Sequence, residues 1–227
     1  LEMVSLNYCE TLSAAAGWSM EEAKAQTIEA GNYILIYEGA VLEGWNGEAL
    51  RVANEPGTDH LVHAAENANA VVALGSCAVN GGWMGANPNS AGALGVQQYL
   101  KKQGIDTPVI NIPGCPPHPD WMVGTLALLL DAMKRKGTEG GVLEIMRGLD
   151  DVGRPKVFYP NTHLTCPYLS SFEDGIFSPF MTDKKGCRFE LGCRGPWSGC
   201  DSATRKWNGG GNWGIANAPC VGCTSPN

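Results

Sequence analysis

The sequence lacks the features of a membrane span and of a nucleic-acid binder. No stretch approaches the run of about eighteen apolar residues that indicates a span, because polar residues and a glycine interrupt the longest candidate, residues 121–133. The 23 acidic residues outnumber the 16 basic ones, and the net charge of -7 disfavours a partner whose phosphates require cationic side chains. We therefore predict a soluble or peripheral chain without a nucleic-acid partner.

The chain also lacks internal repeats and an even set of cysteines. With 227 residues, 44% of them apolar, it can bury the core of one large domain or of two unequal ones. The nine cysteines would leave one thiol over if they all formed disulfides, and the chain is much longer than small secreted scaffolds that depend on such bridges. We expect the thiols to serve another purpose.

The first half alternates apolar runs of strand length with helical patterns. The strand candidates are residues 33–37, 70–74 and 108–112, and the helix candidates are residues 19–30, 58–68, 90–104 and 117–136. The continuous hydrophobicity of the strands suits a parallel sheet covered on both faces. Alternating strands and helices imply right-handed crossovers, so we predict an α/β fold with a flavodoxin-like, doubly wound parallel sheet.

Two strand candidates end in short motifs that contain glycine and cysteine. Gly75-Ser-Cys77 follows the second strand, and Pro113-Gly-Cys115-Pro-Pro117 follows the third. Ligands of open α/β folds bind at the carboxyl ends of the strands, so these two cysteines could converge on one metal cluster. The alternative is a pair of buried thiols, since free cysteine is often a core residue.

The second half concentrates residues that ligate metal. From about residue 150 the apolar periodicity fades, while glycine, proline, cysteine and tryptophan accumulate. One imidazole and six thiols could ligate two iron–sulfur clusters: His163, Cys166, Cys187, Cys193, Cys200, Cys220 and Cys223. We therefore divide the chain into residues 1–150, a flavodoxin-like domain, and residues 151–227, a small irregular domain that binds clusters.

A zinc-stabilised interaction module is the alternative for the second half. Cys220-x-x-Cys223 is a common zinc half-site, and His163-x-x-Cys166 could complete a mixed one. However, the seven candidates fit one tetrahedral site poorly, and two zinc ions would need eight ligands. One four-ligand and one three-ligand iron cluster would use all seven.

The chain resembles the small subunit of a NiFe hydrogenase along nearly its whole length. The matching segments are residues 4–12, 14–17, 37–40, 75–77, 81–82, 113–117, 154–155, 163–166, 191–196 and 220–223. The resemblance implies an iron–sulfur subunit that transfers electrons during H2 oxidation or production, as part of an enzyme. It also implies an obligate large-subunit partner that holds the nickel–iron active site, and a cytochrome or other redox acceptor near His163. We find no candidate catalytic residue in this chain.

The resemblance also assigns ligands to three clusters in a row. Cys77 and Cys115 match two of the four ligands of a proximal 4Fe-4S cluster, and we expect the other two upstream of residue 1. The distal 4Fe-4S cluster, with one histidine ligand, and the medial cluster take the remaining candidates: His163, Cys166, Cys187 and Cys193 for the distal cluster, and Cys200, Cys220 and Cys223 for the medial one.

Two glycines carry further implications of the resemblance. Family members have proline or a fourth cysteine just after an Asn-Trp pair, where this chain has Gly214, so we predict a 3Fe-4S medial cluster. Oxygen-tolerant members carry an additional cysteine at the position of Gly82, so that part of their signature is missing. Many relatives are exported and membrane-associated, so the resemblance favours a periplasmic or membrane-associated location, with a cytoplasmic location as the alternative.

The remaining candidates carry weaker predictions. We expect Cys9 to be a structural or incidental thiol, and His60 and His63 to lie on a solvated helix face rather than bind metal. His118 either hydrogen-bonds near the proximal cluster or lies in the first turn of a helix. A flavin-binding oxidoreductase subunit is a further alternative, although no loop that could hold the flavin phosphate after a first strand is recognisable.

Overall fold

The computed structural model describes residues 4–183, 185–206 and 218–225. The strands in these residues are β1 (Ile34–Glu38), β2 (Val41–Leu42), β3 (Arg51–Val52), β4 (Glu55–Pro56), β5 (Ala70–Leu74), β6 (Ala93–Leu94) and β7 (Val109–Ile112). The α-helices are α1 (Trp18–Ala30), α2 (Gly57–Glu66), α3 (Ser76–Asn80), α4 (Val96–Lys102), α5 (Pro119–Arg147), α6 (Leu169–Glu173) and α7 (Ser202–Arg205). Short 3₁₀ helices lie at Gly44–Gly47, Gly82–Gly85, His163–Thr165, Phe189–Leu191 and Gly195–Trp197.

The central sheet is parallel and contains β1, β5 and β7 in that order. Leu74 pairs with Ile112, so the carboxyl ends of β5 and β7 are level. These three strands confirm the sequence prediction to within one residue at each end. The antiparallel pairs β2–β6 and β3–β4 are only two residues long on each side and were not predicted, because such short strands show no periodicity.

Helices cover both faces of the sheet. Ala70 and Val72 of β5 belong to a core that includes Leu129 of α5. The intervening residues of β5 belong to a second core with α2 and α4, in which Leu61 and Leu100 are almost fully buried. Each such leucine contributes about 1.5–3 kcal/mol by leaving water. The predicted α/β class, with a parallel sheet covered on both faces, is therefore confirmed.

Two helices start differently from the sequence prediction. Gly17 occupies the N-cap of α1, so this helix begins at Trp18 rather than at residue 19, and the Ser19 hydroxyl donates to the Ala16 carbonyl. Helix α4 begins at Val96 rather than at residue 90, because residues 93–94 pair with β2 as strand β6. Tertiary pairing overrides local helical pattern at this point.

Helix α5 is interrupted at Gly137, whose φ of 75° lies in the left-handed region. The first helical segment ends there, in agreement with the helix predicted at residues 117–136, but a second segment continues to Arg147 and was not predicted. Gly141 brings the second segment against the first, since a Cβ there would collide with the backbone of Met133. Glu144 then forms ion pairs with the basic end of the first segment.

The region after residue 150 contains little regular structure but packs on the sheet domain. Phe158, Tyr159 and Cys200 belong to the same core as Ile110 of β7. The Tyr159 hydroxyl donates to the Pro113 carbonyl at 2.9 Å. The division of the chain at residue 150 stays a prediction. Within the described ranges, none of the helices has the length and apolar character needed to cross a membrane.

Candidate iron–sulfur cluster sites

The loops after β5 and β7 hold Cys77 and Cys115 at one edge of the sheet. The Ser76 N–H donates to the Gly114 carbonyl at 2.9 Å, and the Gly114 N–H donates to the Ser76 hydroxyl at 3.0 Å. This reciprocal pair locks the two loops together. Cys77 lies in the first turn of α3, and Cys115 is exposed. The structure thus brings the two cysteines to the edge at which ligands of such sheets bind.

Little space is left around the Cys77 sulfur, and a neighbouring charge affects the pKa of this thiol. Gly82 has a φ of 60°, and a Cβ there would lie 2.7 Å from the Cys77 sulfur. Burial, followed by the nearby Cys115 thiolate, raises the pKa of Cys77. Two thiolates that repel each other in a partly buried site are stabilised by a shared metal cluster, because the metal supplies the missing positive charge.

The four predicted distal ligands line one cavity of about 50 Å³. Its walls include His163, Cys166, Cys187 and Cys193, together with Cys220. Burial raises the pKa of Cys166, and the thiolates of Cys193 and Cys187 raise it further. Residues up to 30 positions apart in the sequence are therefore brought together around one apolar space.

Main-chain N–H groups point at the sulfurs around this cavity. The Cys193 sulfur accepts from the N–H groups of Cys220 at 3.3 Å and Gly195 at 3.5 Å. The Cys187 sulfur accepts from the N–H groups of Phe189 and Arg188, which oppose the effect of burial on its pKa. Such donors stabilise thiolates, the form in which cysteine binds iron.

The three predicted medial ligands lie between the cavity and the sheet edge. Cys200 is buried, and its sulfur is 3.1 Å from the Ser202 hydroxyl and 3.4 Å from the Thr162 hydroxyl. Burial raises the pKa of Cys220, and the Ser198 hydroxyl lowers it in part. Each sulfur of this group therefore has polar partners despite its burial.

Cys223 connects the medial group to the sheet edge. Burial raises its pKa to about 11, although the Cys115 N–H donates to its sulfur. The same sulfur senses the charges of Cys200, Cys220 and Cys115. The Cys223 carbonyl also accepts from the Ser76 hydroxyl. The thiols thus form a continuous series from β5 and β7 to the cavity beside His163.

The donors of this series, eight thiols and one imidazole, are of the types that bind iron–sulfur clusters. Among the described residues, which include all nine cysteines and all four histidines, no three His, Cys, Asp or Glu side chains are close enough to hold one metal ion. A tetrahedral zinc site needs four ligands converging on one ion. In an iron–sulfur cluster each thiolate binds a different iron, so the ligands stand further apart. The assignment of each ligand stays a prediction.

The other predicted residues lie outside this series. Cys9 is a free thiol whose pKa is lowered by the Thr11 hydroxyl. His60 contacts the Val52 carbonyl at 2.9 Å, and His63 is exposed. His118 caps α5, because its Nδ1 accepts from the Asp120 N–H at 3.1 Å. Gly214 lies outside the described residues.

Sequence reasoning missed the polar residues that surround the sulfurs. Ser76, Thr162 and Ser202 are buried, and each forms a hydrogen bond to a cysteine or to a neighbouring loop. All three lie within two positions of a predicted ligand, which is a usable signal. Thr162 contacts Cys200 from 38 positions away, and the sequence carries no sign of this contact.

A parallel α/β domain with thiols at its strand ends, followed by an irregular cysteine-rich region, defines a class of oxidoreductase subunits. Residues 1–129 match the family described as NADH ubiquinone oxidoreductase, 20 Kd subunit. Residues 158–227 match the family that describes the C-terminal region of the NiFe/NiFeSe hydrogenase small subunit. Both halves of the chain are therefore related to redox subunits.

Individual relatives narrow this class. The chain is 37% identical to the periplasmic [NiFeSe] hydrogenase small subunit of Desulfomicrobium baculatum, over 100% of this chain and 74% of that protein. It is 36% identical to the F420 non-reducing hydrogenase II small subunit of Methanosarcina mazei, over 98% of this chain and 64% of that protein. The solved [NiFeSe] hydrogenase of Desulfovibrio vulgaris Hildenborough shares 43% identity and a TM-score of 0.93, over 99% of this chain and 82% of that chain. This chain belongs to the family of NiFe hydrogenase small subunits.

Proposed function

We propose that this chain is the electron-transfer subunit of a NiFe hydrogenase complex. It would relay electrons between a nickel–iron centre in a large-subunit partner and an external acceptor, in H2 oxidation or production. The continuous series of thiols from Cys77 to Cys187 is the observation that carries the proposal. Membership of the small-subunit family supports the presence of a large-subunit partner. Bound clusters supply one-electron chemistry in such a series.

Each part of the series would hold one cluster. Cys77 and Cys115 supply two ligands of a proximal 4Fe-4S cluster. The three medial ligands, together with Gly214 in place of a fourth cysteine, favour a 3Fe-4S cluster. The distal ligands, one of them a neutral imidazole, favour a 4Fe-4S cluster of less negative charge and higher potential. The medial and distal ligands are Cys200, Cys220 and Cys223, and His163, Cys166, Cys187 and Cys193.

This chain's own residues exclude water and orient the sulfurs. Phe189 and Pro196 contribute apolar walls to the cavity beside His163. The His163 ring packs edge-on against Phe172, with centroids 4.6 Å apart, which fixes the orientation of the imidazole. The N–H and hydroxyl groups described above position five of the sulfurs, those of Cys187, Cys193, Cys200, Cys220 and Cys223. A fixed, mostly apolar surrounding limits the reorganisation that accompanies electron transfer.

Exposed apolar side chains lie near both ends of the series. Trp83 is 80% exposed and directly follows Gly82, which lies beside Cys77. Its exposure supports a large-subunit interface at the sheet edge. Leu164 is 68% exposed beside His163, and Trp197 is 54% exposed and stacks on Phe189. These side chains support docking of a cytochrome or other redox acceptor at the distal end.

Metal analysis and low-temperature electron paramagnetic resonance of the native complex test the proposal. We expect iron in large excess over zinc, nickel in the co-purifying partner, and an oxidised three-iron signal. Zinc without iron would favour the interaction module, and yellow fluorescence released on denaturation would favour a flavin protein. Iron without a nickel-bearing partner would remove the hydrogenase assignment.

The Gly214→Cys variant tests the medial assignment separately. A thiolate at this position supplies a fourth ligand, so we expect the three-iron signal to disappear and a four-iron reduced signal to replace it. Gly214→Ala offers no ligand and is the matched control, which should keep the three-iron signal. Four irons at the medial site of the unaltered protein would show that the prediction is wrong.

A further inference from the structure

The cavity that holds the predicted distal ligands also contains a buried arginine. Arg188 lines the cavity with His163, Cys166 and Cys187, and its side chain is almost inaccessible to solvent, with 2% of the residue exposed. Its two terminal nitrogens donate to the main-chain carbonyls of Gly186 and Asp183. The third nitrogen, Nε, is buried and has no hydrogen-bond partner among the described residues.

The charge of this guanidinium also lacks a carboxylate partner among the described residues. Within the described part of the chain, Arg188 forms no ion pair with an acidic side chain. Its Cζ lies 4.3 Å from the centre of the Tyr168 ring, which holds the flat guanidinium in one place. Burial of a cation without a counter-charge costs free energy, so an anion bound in the cavity would stabilise this arginine.

We propose that Arg188 is a positioning residue for the distal cluster and raises its reduction potential, with Nε–H donating to a cluster sulfur. This inference rests on the proposed function. Three thiolates and a neutral imidazole leave a 4Fe-4S cluster with net negative charge in both redox states, and more of it after reduction. A fixed cation and an N–H donor therefore stabilise the reduced state more than the oxidised state.

The test uses the Arg188→Met and Arg188→Lys variants in the complete complex with the large subunit. Redox titration followed by electron paramagnetic resonance measures the potential of each cluster. We expect Arg188→Met to lower the reduction potential of one four-iron cluster by about 59 mV or more. This shift corresponds to a tenfold or larger change in the equilibrium constant for one-electron reduction. Arg188→Lys keeps the charge but loses the planar Nε–H, so its shift should be smaller.

Arg194→Met is the matched control. Arg194 also follows a predicted distal ligand, Cys193, and lies over an aromatic ring, with its Cζ 5.2 Å from the centre of the Trp197 ring. It is exposed, however, so water screens its charge. We expect all cluster potentials of this variant to match those of the unaltered protein.

Three results would overturn the inference. Unchanged potentials in Arg188→Met would show that the cluster does not sense this side chain. An equal shift in Arg194→Met would show that any nearby positive charge suffices. Loss of the distal signal and its iron in both Arg188 variants would assign the arginine to folding rather than to potential. A native complex without iron would instead reject the proposed function.

Discussion

At the scale of single residues, a glycine and a threonine hydroxyl determine where two of the cysteines can lie. Gly82 leaves space beside Cys77, and Thr162 satisfies the buried backbone of Cys200. Neither residue is a predicted ligand. Each nevertheless lies next to one cysteine, Gly82 next to Cys77 and Thr162 next to Cys200. Substitutions at these two positions therefore change the geometry of the site and leave its ligands in place.

Gly82→Ala should prevent the proximal site from forming correctly. Gly104→Ala is the matched control, because both glycines have positive φ, 60° and 75°, where alanine costs about 1–2 kcal/mol. Only at Gly82 would the added Cβ meet a sulfur, whereas nothing lies within 4 Å at Gly104. We expect the complex with Gly82→Ala to lose the iron of one four-iron cluster, as measured by metal analysis. Equal iron in the two variants would contradict this.

Thr162→Val should destabilise the region around Cys200. The Thr162 hydroxyl accepts from the Cys200 N–H at 2.9 Å, and valine would leave this buried N–H without a partner. The expected loss is about 1–3 kcal/mol, seen as a lower thermal midpoint of the complex. Thr204→Val removes an exposed hydroxyl and should stay within about 0.5 kcal/mol. Equal midpoints for both variants would argue that the Thr162 contact is unimportant.

At the scale of secondary-structure elements, the break in α5 controls how one face of the sheet is covered. Gly137 redirects the helix, and Gly141 allows the second segment to touch the backbone of the first. Val142 of the second segment then joins the core beside Leu129. The second segment is therefore held by close backbone packing.

Gly141→Ala should disrupt this packing. Its Cβ would collide with the backbone of Met133, which cannot move away as a flexible side chain could. We expect a loss of about 1–3 kcal/mol, as for other overpacked cores, measured by denaturant unfolding of the complex. Gly140→Ala meets only the Lys136 side chain, and alanine favours helix, so this control should be neutral or slightly stabilising. A Gly141→Ala variant as stable as the control would contradict this reasoning.

The sequence predicts the buried elements well because their signal is local. The runs at residues 70–74 and 108–112 are continuously apolar, which places β5 and β7 and therefore the loops of Cys77 and Cys115. The helical segment after Gly137 escapes prediction, since it depends on contact with the first segment rather than on its own pattern. Strand β6 escapes for a similar reason, because its partner β2 is distant in sequence.

The candidate site divides in the same way. Residue type and spacing predict which side chains are ligand candidates. The structure places five of them around one cavity and two more, Cys200 and Cys223, next to these five. The burial of Arg188 and the hydrogen bond from the Ser76 hydroxyl to the Cys223 carbonyl depend on how segments that are distant in sequence pack together. No local pattern encodes such contacts, so the polar surroundings of the sulfurs had to come from the structure.

At the scale of the whole molecule, the two halves differ in what stabilises them. The sheet domain buries apolar side chains on both faces of β5. From residue 161 to residue 225, the described ranges contain only short helices and isolated bridges, together with thiols whose pKa values are raised by burial. Cluster binding would then supply much of the folding free energy of this half, as metal does in other small metal-binding domains.

Removing iron from the complex should therefore open the second half first. We expect trypsin to cleave the iron-depleted complex much faster after Lys185, Arg188 and Arg205, with fragments identified by mass spectrometry, because the region that contains them loses its clusters. Lys101 and Lys102 of α4 provide the internal control, since they are exposed but lie on a helix that packs on the sheet. Cleavage after these two residues should change little. Equal acceleration at all sites would show that the halves unfold together, and no acceleration would show that the second half is stable without metal.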